Sequence, residues 1–286
     1  MSEINFRRYR EYVSARVGAN NAMIALLAGS RLAAHNLQLH SGSPYQLPGL
    51  FPAVADIDRF NLLPDQASTL LLNADSHLSA VAIPYALAVY EAFVKDAAEL
   101  LKRDGIAITI DRKTMAAGAM HNTFYKAAGV PQPLRIVNLF HVLRAARNAQ
   151  IHNAGMLTSE VTQTIAKLTA DQQSRWEKLT MAPIGDMING DHLEFTIGHL
   201  VAAFAVTKEA ARHINVTLGT VLSRKLWAEL AIEDYLPTAT HPRNSLNWRK
   251  KLIGYTRFNY LGGLSLTTQE LETAARSTGV WDRHQW

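Results

Sequence analysis

Residues 134–155 read LRIVNLFHVLRAARNAQIHNAG, and this stretch predicts a single amphipathic helix. Apolar residues recur at spacings of three and four, and Gly155 just beyond them is typical of a helix end. At roughly 100° per residue, a set of polar side chains falls within a sector of roughly 80° on the opposite side. We therefore expect a helix that buries its apolar side and exposes its polar side. The apolar positions are Ile136, Leu139, Leu143 and Ala146, and the polar positions are His141, Arg144, Asn148 and His152, with Arg147 at the boundary.

Within this helix, Arg147 is followed at once by Asn148, and His152 comes after four intervening residues. In a chain with 19 Arg and 11 His, an Arg and a His at this spacing are expected about 0.7 times by chance, so the spacing alone indicates little. The combination of the amide, the helical context, the polar face and the nearby helix end is more informative. Arginine binds phosphate and histidine moves protons near neutral pH. These residue types indicate chemistry on a phosphodiester.

This stretch resembles the signature of the HEPN superfamily, in which Arg is followed by a polar residue and, four to six residues on, by His. Residues 85–101 are similar to the first core helix of that family, with Glu91 directly after Tyr90. The resemblance covers about residues 79–236. It implies an all-α bundle and a homodimer that brings two copies of the motif into one cleft. It makes Arg147, Asn148 and His152 the catalytic candidates. The supporting candidates are Arg144, His141 and Glu91. Each of these six could also be an ordinary helix-surface or ion-pair residue.

Periodicity along the whole chain predicts an all-α helical bundle with an N-terminal helical extension and a basic C-terminal extension. The resemblance implies that this bundle is of HEPN type. Three consecutive segments are expected: N-terminal helices with a proline-rich loop (1–66), the HEPN-like helical domain (67–236) and a basic, aromatic C-terminal region (237–286). Helices are predicted over 3–39, 82–103, 114–128, 158–168, 192–218 and 220–236. Residues 105–110 form an isolated β-like run, and 171–188 carry no clear pattern.

Composition restricts the chemistry. The chain has 286 residues, 48% of them hydrophobic, a mean hydropathy of −0.05, no cysteine and a net charge of +5. The lack of cysteine excludes disulfides, thiolate metal sites and a cysteine nucleophile. Neither a HExxH motif nor a glycine-rich phosphate loop occurs, so we predict no metal and no cofactor. No long apolar run and no signal-peptide pattern is apparent, which predicts a cytoplasmic protein without a membrane span.

Two segments lack acidic residues, and both are basic. The first, from Arg112 to Ser159, contains the motif, and the second runs from Tyr235 to Gln269. In the second, cations alternate with aromatic residues, including Phe258 and Tyr260, as suits single-stranded or looped RNA. A solvated basic surface over core aromatics would give the same pattern. The predicted RNA-binding residues here are Arg243, Trp248, Arg249, Lys250, Lys251, Tyr255 and Arg257.

These features together predict a metal-independent endoribonuclease that cuts tRNA or mRNA, acting as a toxin or anti-phage defence effector. The ribose 2′-OH would be the nucleophile, His152 would transfer a proton, and Arg147 would stabilise the phosphorane-like transition state, with Asn148 orienting one of them. An antitoxin or another regulatory partner is compatible with the resemblance. Two alternatives stay open: a non-catalytic HEPN-like module that binds RNA or nucleotide, and a DNA-binding regulator with residues 266–278 as its recognition helix.

Overall fold

The computed structural model describes residues 3–260 and 264–286, and it confirms the all-α prediction. Twelve α-helices lie in these described residues. The first six are α1 (Arg7–Gln38), α2 (Leu47–Leu50), α3 (Pro64–Leu72), α4 (Ala74–Arg103), α5 (Met120–Ala128) and α6 (Leu134–His152). The others are α7 (Ser159–Ala166), α8 (Ala170–Thr180), α9 (Ile197–Val221), α10 (Arg224–Tyr235), α11 (Leu246–Asn259) and α12 (Thr268–Ser277).

Extended structure in the described residues is limited to a small hairpin. Strand β1 (Ile188–Asn189) pairs antiparallel with β2 (His192–Leu193). The β-like run at 105–110 forms no strand, because no neighbouring segment pairs with it. Strand β2 also explains why α9 begins at Ile197 rather than at His192, since the residues before Ile197 are used by the hairpin and the turn that follows it.

Helix α8 lies largely within residues 171–188, where the sequence shows no clear pattern. Its N-terminus is a capping box: the Thr169 side chain accepts a hydrogen bond from the backbone N–H of Gln172, and the Gln172 side chain accepts one from the backbone N–H of Thr169. Trp176 and Gln172 are buried on one side of this polar helix. The helix is therefore fixed by its cap and by one large aromatic residue rather than by a long apolar stripe.

The described chain divides into two compact units. The first contains residues 1–15, 88–141 and 206–286, and the second contains residues 16–87 and 142–205. The dividing points fall inside helices α1, α4, α6 and α9. The three consecutive segments expected from the sequence are a different kind of division, and they stay a prediction.

An aromatic cluster forms the core of the first unit. The ring of Phe6 lies edge-on to Trp227, with centroids 5.4 Å apart, and Tyr12 stacks on Phe93 at 5.0 Å. Trp227 in turn contacts Tyr260. Large aromatic side chains bury much apolar area, so this cluster is a major source of stability for the unit.

Two buried polar side chains of the first unit hold its N-terminal segment. The Asn215 amide accepts a hydrogen bond from the backbone N–H of Ile4 and donates one to the Ile4 carbonyl, each at 2.8 Å. The buried carboxylate of Asp234 accepts from the backbone N–H of Arg7 at 2.6 Å and from the Tyr260 hydroxyl. These bonds satisfy groups that would otherwise be buried without partners, and they fix where α1 begins.

In the second unit, the proline-rich connection after α1 is ordered. It contains α2 and a short 3-10 helix (Ile57–Arg59), and a small apolar cluster joins it to its neighbours. Leu37, Leu47 and Ala67 form the buried centre of that cluster. The same unit contains His199, whose Nδ1 accepts from the Thr196 backbone N–H at 2.9 Å and whose ring lies against Trp176.

One helix, α4, is long and apolar enough to cross a membrane when judged by length and composition alone. It is 30 residues long, its most apolar window has a mean hydropathy of 1.4, and 44% of that window is buried in the fold. Ile83, Leu87 and Tyr90 are completely buried. Core helices of soluble proteins have the same properties, so α4 alone is weak evidence for a membrane span.

A buried histidine of the first unit makes stability depend on pH. A hydrogen bond of 2.6 Å joins His121 Nε2 to the Tyr90 hydroxyl, and the His121 ring lies edge-on to His141. Burial, and to a smaller extent the charge of His141, lowers the pKa of His121 from 6.5 to about 3. Between these two pH values the unfolded chain binds a proton at His121 that the folded chain does not bind. The contribution of this group to stability is therefore fully present above pH 6.5 and is lost as the pH falls from 6.5 towards 3.

We expect the substitution His121→Gln to flatten this pH dependence. A group with such a shift changes the free energy of unfolding by about 1.4 kcal/mol per pH unit within its window, so the slope between about pH 6 and pH 4 should fall by about that amount. Urea unfolding followed by circular dichroism at several pH values measures it. The control is His77→Gln, at an exposed histidine of α4, which should keep the wild-type slope. An unchanged slope in His121→Gln would contradict the assignment.

Candidate functional site

Helix α6 carries the motif, and it is buried around most of its circumference. The prediction of one apolar and one exposed polar face is wrong for its first sixteen residues. Val137, at about 160° from Leu139 and therefore inside the predicted polar sector, is 2% exposed. Neighbouring elements surround the helix, and periodicity cannot show this. Its buried side chains are Ile136, Val137, Leu139, Phe140, Val142, Leu143, Ala145, Ala146 and Ala149.

Arg144 is held in an ion pair. Its guanidinium donates to Glu160 Oε1 at 2.7 Å, and only 14% of its side chain is exposed. Glu160 lies in the first turn of α7, just beyond the acid-free segment of the sequence. An acidic side chain therefore lies next to the motif helix in the fold, although the segment that contains the motif has no acidic residue. We assign Arg144 a role in holding α7 to α6 rather than in binding phosphate.

The three motif residues lie on the last two turns of α6. Arg147 and Asn148 are half-buried, and His152 is exposed as the last helical residue. Asn148 precedes His152 by four residues, so their side chains share one side of the helix. Exposure of the imidazole meets the first requirement for proton transfer to a substrate from solution.

The turn after His152 is fixed by its backbone. Gly155 has φ +83°, a conformation that favours glycine, and its backbone N–H donates to the Ala149 carbonyl at 3.1 Å. Its carbonyl accepts from the Leu193 N–H at 2.8 Å, and Leu157 N–H donates to the Asp191 carbonyl at 2.7 Å. The hairpin therefore pairs with the chain that leaves α6, and it fixes the end of the motif helix as the sequence predicted at Gly155.

The hairpin also brings a second exposed imidazole to this turn. His192 pairs through its backbone with Met156, and its Nδ1 lies 2.9 Å from Asp191 Oδ1. Sequence reasoning did not select His192, because forty residues separate it from the motif and no local pattern marks it. Only the pairing of the hairpin with residues 155–157 identifies it.

The other two supporting candidates, His141 and Glu91, belong to the first compact unit. His141 is half-buried, and its ring lies edge-on to His121 at 5.8 Å and to Phe140 at 5.7 Å. These ring contacts give His141 a packing role. Glu91 is half-buried on α4, and its supporting role stays a prediction.

The C-terminal candidates separate into exposed and buried residues. Trp248 is completely buried, stacked on Trp281 and edge-on to Tyr235, so the prediction that it stacks on RNA bases is wrong. Tyr255 is half-buried, and its hydroxyl accepts from Arg10 at 2.7 Å, which gives it a structural role. The fully exposed candidates are Arg243, Lys250, Lys251 and Arg257, and Arg249 is half-buried. Phe258, an aromatic residue of the same basic segment that is not among the predicted RNA-binding residues, is 83% exposed.

Comparisons with protein-family models, with curated proteins and with solved structures found no match to this chain. The resemblance to the HEPN superfamily therefore rests on the motif and its helix. Among the described residues, no group of three or more His, Asp or Glu side chains is placed to hold a metal ion.

We expect Gly155→Ala to lower the free energy of unfolding by about 1–2 kcal/mol, because an L-residue is strained at this positive φ. An added Cβ would also lie 3.0 Å from Gln150 Oε1. The matched control is Gly185→Ala in the same unit, where an added Cβ meets no atom within 4 Å and φ is not positive. Urea unfolding of both variants measures the difference. Equal stability of the two variants would contradict the role given to the turn.

Proposed function

We propose that this chain is a metal-independent endoribonuclease whose catalytic residues are Arg147, Asn148 and His152. The observation that carries the proposal is the exposure of His152 at the end of a helix that is otherwise largely buried, with Arg147 and Asn148 within the preceding two turns. The last two turns of this helix therefore carry a proton-transferring group and a permanent cation. Phosphodiester cleavage in RNA needs both.

The reaction follows from the substrate. The ribose 2′-OH lies next to the scissile phosphorus, so the protein need not supply a nucleophile. His152 removes a proton from the nucleophile or returns one to the leaving group. Arg147 stabilises charge on the phosphorane-like transition state, and Asn148 orients the imidazole. The expected products carry a 2′,3′-cyclic phosphate, or a 3′-phosphate after its hydrolysis, and a 5′-hydroxyl.

One copy of the motif is insufficient for this step. Arg147 and His152 project about 140° apart around α6, and one imidazole cannot be both base and acid in a concerted step. A second copy of the chain, as the family resemblance implies, would supply the missing Arg and His. His192, beside Asp191 near the same turn, is the alternative source of a second imidazole within one chain.

An exposed apolar stripe on α1 supports self-association. Val17, Ile24 and Leu32 lie within a sector of about 80° on this helix and are 40%, 56% and 67% exposed. Exposed apolar surface of this kind is typical of protein–protein contacts. We propose that two copies of the chain associate through it.

The biological setting that we propose is a cytoplasmic toxin or anti-phage defence effector that cuts tRNA or mRNA, under control of an antitoxin or another regulatory partner. The DNA-binding alternative is less well supported. The fully exposed residues of α12 are uncharged, and its Arg276 is paired with Glu272 at 2.7 Å, so a recognition helix there would lack a free cation among the described residues.

The test of the catalytic residues is cleavage of total tRNA and of a structured mRNA in EDTA. We expect His152→Ala and Arg147→Ala each to reduce cleavage by about 10²–10⁴-fold, since each removes proton transfer or charge stabilisation in the transition state. Exposed His77→Ala is the matched control and should keep activity. The variant His192→Ala should also keep cleavage activity. Loss of activity in that variant would identify His192 as the second imidazole. Cleavage that survives in both motif variants, with folding unchanged, would refute the proposal.

The test of self-association is the double substitution Ile24→Glu and Leu32→Glu. We expect a dimer in the wild type and a monomer in this variant, because two carboxylates cannot be buried in an apolar contact without a large cost. Light scattering after size-exclusion chromatography measures the mass, and cleavage should be lost together with the dimer. The control places the same change at the exposed residues Gln38 and Gln173. A dimer that persists in the variant would exclude this surface.

A further inference from the structure

The exposed side of α11 carries a row of cations. Trp248, Leu252, Thr256 and Asn259 are the buried side of this helix. Lys250, Lys251 and Arg257 are exposed on the opposite side. None of the three forms an ion pair with any residue in the described ranges, and the sequence has no acid between Tyr235 and Gln269. Positive charge is therefore concentrated here and is not neutralised by the fold.

Phe258 adds an aromatic ring to the same side. It is 83% exposed, and it follows Lys251 by seven residues, so the two lie on one line about 10.5 Å apart along the helix. An exposed aromatic ring beside lysine and arginine can stack on an unpaired base while the cations contact the flanking phosphates. The buried Trp248 cannot stack on a base, whereas the exposed Phe258 can.

Gly254 leaves an open patch between these side chains. It lies four residues after Lys250 and four before Phe258, and it is exposed. An added Cβ would meet no atom within 4 Å, and φ is not positive, so neither packing nor backbone geometry requires glycine. Glycine is unfavourable inside a helix. It does allow another molecule to approach the backbone closely.

A cleft of about 270 Å³ adjoins this surface. Arg257 and Thr256 line it from α11, and Thr267, Thr268 and Leu271 line it from the start of α12. The Thr256 side chain is 3% exposed, and its hydroxyl has no hydrogen-bond partner among the residues that the structure describes. A mixed polar and apolar cleft with an unused hydroxyl suits a nucleobase or ribose, and Arg257 belongs to both the cleft and the exposed surface.

We propose that the exposed side of α11 and the adjoining cleft form a binding site for single-stranded RNA. Lys250, Lys251 and Arg257 contact phosphates, Phe258 stacks on a base, and the backbone at Gly254 lets the strand lie close to the helix. A membrane is a poorer match, because membrane-surface helices expose a wide apolar face and the apolar face of α11 is buried. The choice of RNA over other single strands rests on the proposed nuclease function, whereas the site itself does not.

Binding is tested with the full chain carrying His152→Ala, which should prevent cleavage, and a labelled single-stranded RNA of about 12 nucleotides. Fluorescence anisotropy at several salt concentrations gives the affinity. Neutralising Lys250, Lys251 and Arg257 to Gln should lower the slope of log affinity against log salt by about 2, as three lost phosphate contacts on a single strand require. Phe258→Ala should weaken binding about 10-fold. Gly254→Leu should weaken it without any change of charge, and Gly254→Ala should weaken it less.

Matched controls are Phe60→Ala, at another exposed phenylalanine, and the triple change of exposed Lys102, Lys113 and Lys178 to Gln. Both should bind as the parent does. Unchanged affinity in Phe258→Ala and Gly254→Leu, or an equal loss in the lysine control, would overturn the site. Equal affinity for DNA of the same sequence, for duplex RNA or for anionic vesicles would overturn the choice of single-stranded RNA. A wild type that binds RNA through α11 but does not cut it would refute the nuclease function alone. Cleavage that is unchanged by the α11 substitutions would refute this binding site alone.

Discussion

Burial of α6 on nearly all sides is the constraint on which the candidate site depends. A helix inside a core can carry polar residues only where each has a partner or reaches solvent. Arg144 meets this condition through Glu160, and His141 lies half-buried among other rings. Between Ile136 and Gln150 every side chain is buried or half-buried, whereas the final turn reaches water, and His152 lies there. The polar row that the sequence presents as one surface is therefore divided by its surroundings into a structural part and a reactive end.

The same condition explains why buried polar side chains fix the N-terminal segment in the first unit. Asn215 and Asp234 bind the backbone of residues 4 and 7, which are more than two hundred positions away in sequence. Removing either partner would leave buried donors and acceptors unsatisfied, so these contacts specify a single arrangement of the N-terminal segment. Without that anchor, the Phe6 and Tyr9 rings would not be held in the aromatic cluster around Phe93 and Trp227.

Sequence patterns predicted most of what local chemistry determines. The end of α6 near Gly155 and the end of α4 at Arg103 follow from glycine and from charge in the last turn. Sequence patterns failed where the structure depends on residues that are distant in sequence. An alternating or basic pattern does not say whether Trp248 faces the core or a ligand, or whether residues 105–110 find a strand to pair with. The candidate site was predicted as far as its residue types, whereas Glu160, His192 and Phe258 required the fold.

Glycines show how structural and functional demands can be separated without any comparison to other proteins. At Gly155 the backbone has a positive φ and an added Cβ would crowd Gln150, so the fold alone requires glycine. At Gly254 the backbone is helical and the space around it is open. Glycine therefore weakens the helix here, and no close packing requires it. A residue that costs stability and is not needed by the fold is best explained by a contact outside it. Its neighbours along α11 are an exposed aromatic ring and three cations that form no ion pair within the part of the chain that the structure describes. A polyanion with stacking bases is the contact that fits them.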